Sequence, residues 1–290
     1  MPTLKLQGGL GNQMFEYVLA YSLSQEYNEA IVLDGYFLES RYIGASWTFR
    51  HYELDVFGIN KDYADIPSWI RYSIHPGFID ILNRLRFHGR YTRERDGAFI
   101  EKFPKNAYLD GWFQSYKYFQ EYIPDIKKIF TVKTPLSKEN QDILDIIQEA
   151  GNNAVSLHVR RGDYVALESA NKWHGVCSIG YYEEAIQYMK AKLGNPVFFV
   201  FSDDVGWCRE NIVFPEGVVA HYIDHNGNQG HEDLRLMYSC AHHIIANSSF
   251  SWWGAWLGRN PDKIVLAPGK WLQTDNFNTQ NLIPPSWILL

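Results

Sequence analysis

The sequence predicts an α/β protein built on parallel sheets, and three observations carry that prediction. In the second half, short apolar runs alternate with amphipathic helical stretches. The amino terminus opens as strand, glycine turn, helix and strand. Polar groups follow the apolar runs one after another, at the carboxyl edge where parallel sheets bind ligands.

The elements follow in order. Residues 3–7 read as a strand, Gly8, Gly9 and Gly11 as a tight turn, and residues 12–25 as a helix with Met14, Val18, Leu19 and Ser22 on one face. Residues 31–34 read as a second strand. The turn lacks the Lys-Ser/Thr of an ATPase phosphate loop, and its GGxGNQ spacing is not GxGxxG. Residues 36–125 read as irregular, rich in aromatics, with Arg84, Arg86, Arg90, Arg93 and Arg95 close together. Helices are expected over 116–130 and 138–150, the second closed by Gly151. Beyond it, strands 154–159, 197–201, 218–223, 243–246 and 264–267 alternate with helices 180–192, 205–211, 231–240 and 249–257. A domain boundary is placed near residue 150, giving 1–150 and 151–290, with the tail 270–290 packing back on the first domain.

With 290 residues, 46% of them hydrophobic, the chain supports one large domain or two medium ones. A formal charge of −6 argues against a nucleic-acid binder, so an anionic ligand needs a local cluster of positive groups. Cys177, Cys208 and Cys240 have no metal-site spacing and read as buried free thiols. The amino terminus reads as having no signal peptide, and no apolar run reaches about 18 residues. The expected location is cytoplasmic, with a peripheral place at the inner membrane left open.

The strongest local signal is Ser156-Leu157-His158-Val159-Arg160-Arg161-Gly162-Asp163-Tyr164. A buried-looking strand ends there in two arginines, whose planar forks match phosphate oxygens. The plain alternative is an exposed basic turn. Ser202-Asp203-Asp204, Asp224-His225 and Asn247-Ser248-Ser249 each follow later strands in the same way. Ordinary polar loops account for any one of these, and less well for four in series. Asn247-Ser248-Ser249 either caps a helix or presents its first N–H groups to a phosphate. Asp203-Asp204 and the His221, His225, His242 and His243 spacings do not form a metal-ligand set, so no metal is expected.

Three stretches, Gly8–Phe15, His158–Tyr164 and Asp233-Leu234 through Gly254, resemble motifs of the α-1,2-fucosyltransferases, glycosyltransferase family 11, in the family's order. Tyr108–Gln114 resembles a further stretch of it. The resemblance implies a GT-B-like enzyme with two Rossmann-like domains facing a cleft. Residues 1–150 would be the acceptor side and 151–290 the GDP-fucose side, the missing anchor pointing to a bacterial type. It implies no cofactor, GDP-fucose being a co-substrate, and transfer of L-fucose to the 2-hydroxyl of a galactose-terminated glycan with inversion. On this resemblance Arg160 binds the β-phosphate, His158 orients the nucleotide and Asp233 pairs with guanine. Arg161, Ser202, Asp203, Asp204, Asn247, Ser248, Ser249 and Phe250 complete the donor side. Gly9, Gly11 and Asn12 approach the diphosphate or fucose, and Asp110, Trp112 and Gln114 take the acceptor. The proton acceptor is sought among Asp163, Glu168 and Glu16. A non-catalytic carbohydrate-binding relative, or a transferase using another nucleotide sugar, is the alternative. The tripeptide Arg161-Gly162-Asp163 also occurs in integrin ligands, but there on exposed loops.

Overall fold

The computed structural model describes residues 1–290 except 45–48, 62, 64, 96, 163–174 and 274–278. The chain divides into two compact units, Met1–Lys133 with Asn278–Leu282, and Thr134–Phe277 with Ile283–Leu290.

In the first unit, β1 (Thr3–Lys5), β2 (Val32–Asp34), β3 (Tyr91–Arg93) and β4 (Tyr108–Asp110) form a parallel sheet in the order β2-β1-β4-β3. Each strand ends on a charged residue, and Lys5 lies opposite Asp34 as Arg93 lies opposite Asp110. The first helix spans Leu10–Tyr27, with Gly9 as its N-cap and Asn28 closing it in the left-handed region at φ 51°. Leu19, Ala20 and Leu23 pack on Leu4, Leu33 and Leu109 of the sheet, the burial that stabilises an otherwise weak helix. The helix expected over 116–130 is instead two short 3₁₀ turns followed by a helix over Ile123–Ile129. Pro124 explains the break, because proline fits only the first turn of a helix. Helices Ser68–Ser73 and Pro76–Arg86 lie where the sequence read as irregular.

The second unit holds a six-stranded parallel sheet in the order β10-β9-β8-β5-β6-β7. Its strands are β5 (Ala154–Val159), β6 (Val197–Ser202), β7 (Val219–Ile223), β8 (His242–Ile244), β9 (Val265–Ala267) and β10 (Ile288–Leu289). Side chains of β5 and β6 alternate between two cores. Val155, Leu157, Phe198 and Val200 meet helix Ile179–Leu193 on one face. Ala154, Phe199 and Phe201 meet helices Lys138–Ala150 and Gly230–Ser239 on the other. Helices on both faces explain why β5 is buried along its whole length.

The division between units falls at Lys133/Thr134 rather than near residue 150. Ile147, Ile143 and Leu144 of helix Lys138–Ala150 pack in the second unit's core, so the helix belongs there. The tail is split. Lys117 Nζ donates to Asn281 Oδ1 at 2.8 Å within the first unit, whereas β10 pairs with β9 in the second.

Candidate functional site

Strand order places a switch point in each sheet. From β5 the chain runs outward through β6 and β7, then returns to the other side of β5 as β8, β9 and β10. Such reversals leave a crevice at the carboxyl ends of the strands. Arg160 follows β5, and Asn247-Ser248-Ser249 follows β8, so the two sequence signals sit on the two sides of this point.

Asp203, just beyond β6, organises the arginines. Its Oδ2 pairs with Arg160 Nη1 at 2.9 Å, and its Oδ1 accepts the Arg161 N–H at 2.8 Å. A Cβ on Gly162 would stand 2.6 Å from Asp203 Oδ2, so only glycine leaves room for that carboxylate. Arg160 keeps a quarter of its side-chain surface exposed. Arg161 is used differently: its guanidinium lies 3.9 Å over the Trp207 ring, and its Nε is 3.6 Å from Asp204 Oδ2. Ser202 Oγ accepts the Asp204 N–H, and Asp204 accepts the Trp207 N–H as the N-cap of helix Val205–Asn211. Ser202, Asp203 and Asp204 are thus committed to the loop's own architecture.

Facing them, Asn247 is buried and turned inward. Its amide donates to the carbonyls of Gly175 and Trp271 at 3.3 and 3.1 Å, which makes it a structural tie. Ser248 is the N-cap of helix Ser249–Leu257 but makes no side-chain cap bond. Gly254 on that helix lets helix Gly230–Ser239 approach, since a Cβ would meet Met237 Cε at 2.8 Å. His158 is buried on β5 with its ring 5.6 Å from that of Phe250. Burial holds its pKa down to about 4, so it is neutral at pH 7, and its Nδ1 has no partner among the described residues. Asp233 lies in the first turn of helix Gly230–Ser239 and accepts the Asn226 amide at 2.7 Å. Asn140 donates to Asn226 and bonds His225, each at 2.8 Å, so this carboxylate ends a polar chain. Burial pushes its pKa up to about 6 against the lowering effect of Asn226 and His225.

In the first unit the switch point lies between β1 and β4. Gly8, at φ +74°, is so close to Asn12 and Trp112 that a Cβ would stand 2.4 Å from Asn12 Nδ2 and 2.8 Å from the Trp112 ring. Gln114 Nε2 donates to Asn12 Oδ1 at 2.8 Å. The glycine turn and the Trp112/Gln114 segment, assigned to different substrates from sequence, are therefore one cluster. Gly9 and Gly11 belong to its helix start, where the Glu53 carboxylate accepts the Leu10 N–H. A carboxylate already at this helix start disfavours a phosphate there, which moves the expected diphosphate contact away from Gly9 and Gly11. Asp110 is buried, paired with Lys5 at 3.2 Å and accepting the Tyr91 hydroxyl at 2.6 Å, so it supports the sheet edge instead of meeting an acceptor. Trp112 is 42% exposed.

Glu16 is corrected as a candidate base. It is fully buried, its Oε2 accepts the Gln7 N–H at 3.0 Å and its Oε1 has no partner. Burial drives its pKa well above the usual carboxylate range, which favours the neutral acid. Asp163 and Glu168 lie outside the described residues.

Glu94 was missed from sequence. Its Oε2 accepts the N–H groups of Trp112 and Phe113 at 2.8 and 2.6 Å, and Phe113 is held at φ +48°. A left-handed aromatic residue is uncommon and marks a constrained turn. Burial, offset by those two N–H bonds, raises Glu94 to about 7. No sequence signal marked it, since Glu94 stands in a run of mixed charges, Arg93-Glu94-Arg95-Asp96. Among the described residues no group of three or more His, Cys, Asp or Glu could hold a metal.

Two units with parallel sheets, each with polar groups at its switch point, define an α/β protein of the nucleotide-binding kind. The chain belongs to glycosyl transferase family 11, which it matches over residues 1–290. It is 35% identical to an α-1,2-colitosyltransferase of Escherichia coli, over 98% of this chain and 97% of that one. It is 29% identical to galactoside 2-α-L-fucosyltransferase Sec1 of Mus musculus, over 92% of this chain and 67% of that one. A solved fucosyltransferase NodZ from Bradyrhizobium is more distant, with 16% identity, a TM-score of 0.43 and coverage of 87% and 91%.

Proposed function

We propose that this chain is an inverting GT-B-like glycosyltransferase that moves L-fucose from GDP-β-L-fucose to the 2-hydroxyl of a galactose-terminated glycan. The galactose oxygen bonds to the anomeric carbon as the bond to the β-phosphate breaks. GDP leaves with the electron pair and the hydroxyl proton passes to a carboxylate. The second unit takes the donor and the first the acceptor. The observation that carries this is Arg160 at the β5/β8 switch point, paired with Asp203 and a quarter exposed. Arg160 neutralises charge on the departing diphosphate, and Trp112 offers a ring face to the sugar. A peripheral place on a membrane surface belongs to the same reading; among the described residues no helix is long and apolar enough to cross one.

A second donor is favoured by the colitosyltransferase relative. Colitose is L-fucose lacking its 3-hydroxyl, so both nucleotide sugars suit the same clamp. Incubation with GDP-fucose or GDP-colitose and a panel of β-galactosides, read by mass spectrometry and linkage analysis, tests the reading. α-1,2-fucosyl product is expected, and it should form in the presence of EDTA. Product from GDP-colitose alone would move the donor assignment, and no product from either would remove the enzyme reading.

Asp233 supplies a pH test. Its ionised carboxylate accepts two guanine N–H groups, and the protonated acid cannot. Because burial raises this group to about 6, GDP affinity should fall as pH drops through 6, by up to about tenfold per unit. Calorimetry at several pH values should show the fall in the native protein. Asp233→Asn should bind GDP about tenfold or more weakly at pH 7.5 and keep only the slope of the GDP phosphate. Native-like GDP affinity in folded Asp233→Ala would take this residue out of the site.

A further inference from the structure

Helix Pro76–Arg86 is amphipathic with its apolar side turned outward. Pro76, Ile79, Asp80 and Asn83 form the inner face, and Asp80 reaches Lys5 at 2.9 Å while Asn83 reaches Asp34 at 3.5 Å. Phe78, Ile81, Leu82 and Leu85 follow the i, i+3, i+4, i+7 pattern of a core stripe. They are nevertheless 53, 53, 44 and 69% exposed. The preceding helix Ser68–Ser73 buries no residue and exposes Trp69 and Tyr72 at 65 and 49%. Exposed apolar helix faces of this kind mark an interaction surface.

Charge selects the partner. Residues 66–95 contain six arginines against two acids in a chain whose net charge is −6. Both acids are turned inward, Asp80 to Lys5 and Glu94 to the Trp112 and Phe113 N–H groups. Arg84, Arg86 and Arg90 are exposed beside the apolar stripe. Exposed leucine, isoleucine and phenylalanine, interfacial tryptophan and tyrosine, and flanking arginine are the combination that seats a helix in the headgroup region of an anionic bilayer.

We propose that the outward face of helices Ser68–Ser73 and Pro76–Arg86 docks the protein on an anionic membrane surface. This deepens the membrane place within the reading above and rests on it only for why a glycosyltransferase would sit there. Two assays separate them: lipid binding is measured without substrate, and transfer to a soluble galactoside is measured without lipid.

The test is flotation with vesicles of phosphatidylcholine alone or with about 30% phosphatidylglycerol. Binding is expected to be about tenfold or more tighter to the anionic vesicles and to weaken with added salt. Ile81→Glu combined with Leu85→Glu should lose about tenfold or more of that binding, while melting temperature and transfer to the soluble galactoside stay native. Arg86→Glu with Arg90→Glu, which leaves the apolar stripe intact, should remove the preference for anionic lipid. Equal binding to both vesicle types, or native binding by both double variants, overturns the proposal. So does a lipid-independent dimer that the Ile81→Glu, Leu85→Glu protein cannot form, since the face would then belong to a second copy.

Discussion

Arg160→Ala should cut fucosyl transfer by about 100-fold or more, with GDP-fucose still bound weakly and the fold intact. The expectation rests on geometry. The residue follows β5 at the switch point of the six-stranded sheet, and Asp203 holds one edge of its guanidinium at 2.9 Å. A guanidinium at this place serves the departing phosphate, where charge grows as the bond breaks, and losing such a donor costs about 10²–10³ in rate. Arg160→Lys should recover only part of this, because one ammonium cannot match a fork that holds Asp203 and a phosphate together. Three neighbours sharpen the test. Asp203→Asn should lose less, about tenfold, if Asp203 acts by positioning Arg160. Gly162→Ala should behave like Asp203→Asn, since its Cβ would stand 2.6 Å from Asp203 Oδ2 and push that carboxylate aside. Arg161→Ala should lower the melting temperature more than the rate, because Arg161 is spent on Trp207 and Asp204. Steady-state kinetics with thermal melts reads all five variants. An Arg160→Ala protein with near-native kcat would remove the clamp.

Much of the second unit was legible because its signals are local. A parallel strand buried on both faces reads as a nearly continuous apolar run; β6 is one from Val197 to Phe201, and β5 is one interrupted only by buried Ser156 and His158. The polar residues after them fall at the sheet edge by topology alone, so Arg160 was visible without coordinates. Which partner each polar group takes was not visible. Asn247 looked like a ligand donor and ties down Gly175 and Trp271, while Ser202 and Asp204 build their own turn. Those choices depend on residues far apart in sequence. The first unit was harder. Its strands are three residues long, too short to show a period. The stripe Phe78, Ile81, Leu82, Leu85 is regular, but it lies in a stretch rich in aromatics and arginine and faces outward. Glu94 gave no sign because its role comes from a turn near Phe113 that only the folded chain reveals.

The second large effect concerns the proton. The galactose 2-hydroxyl is a poor nucleophile at neutral pH, so a carboxylate must take its proton as the new bond forms. Asp163, within the arginine motif, and Glu168, just beyond it, remain the proposed bases. The one that serves should lose about 100-fold or more in kcat as its amide while GDP binding stays native. If Asp163 only orients an arginine, Asp163→Asn should weaken GDP binding together with rate. Glu16→Gln should keep near-native transfer, because the native side chain is fully buried and held toward its neutral form. Glu94 separates positioning from chemistry. Glu94→Gln retains an oxygen for the Trp112 and Phe113 N–H groups, so transfer should stay within about tenfold of native if Glu94 only holds the turn. Glu94→Ala frees that turn and should raise the acceptor KM more than it lowers kcat. With Glu94 at about 7, a base role would make native kcat climb as pH rises through 7, and Glu94→Gln would abolish both the climb and the rate. Loss of kcat in Glu94→Gln with native GDP affinity would therefore transfer the base assignment from Asp163 and Glu168 to Glu94.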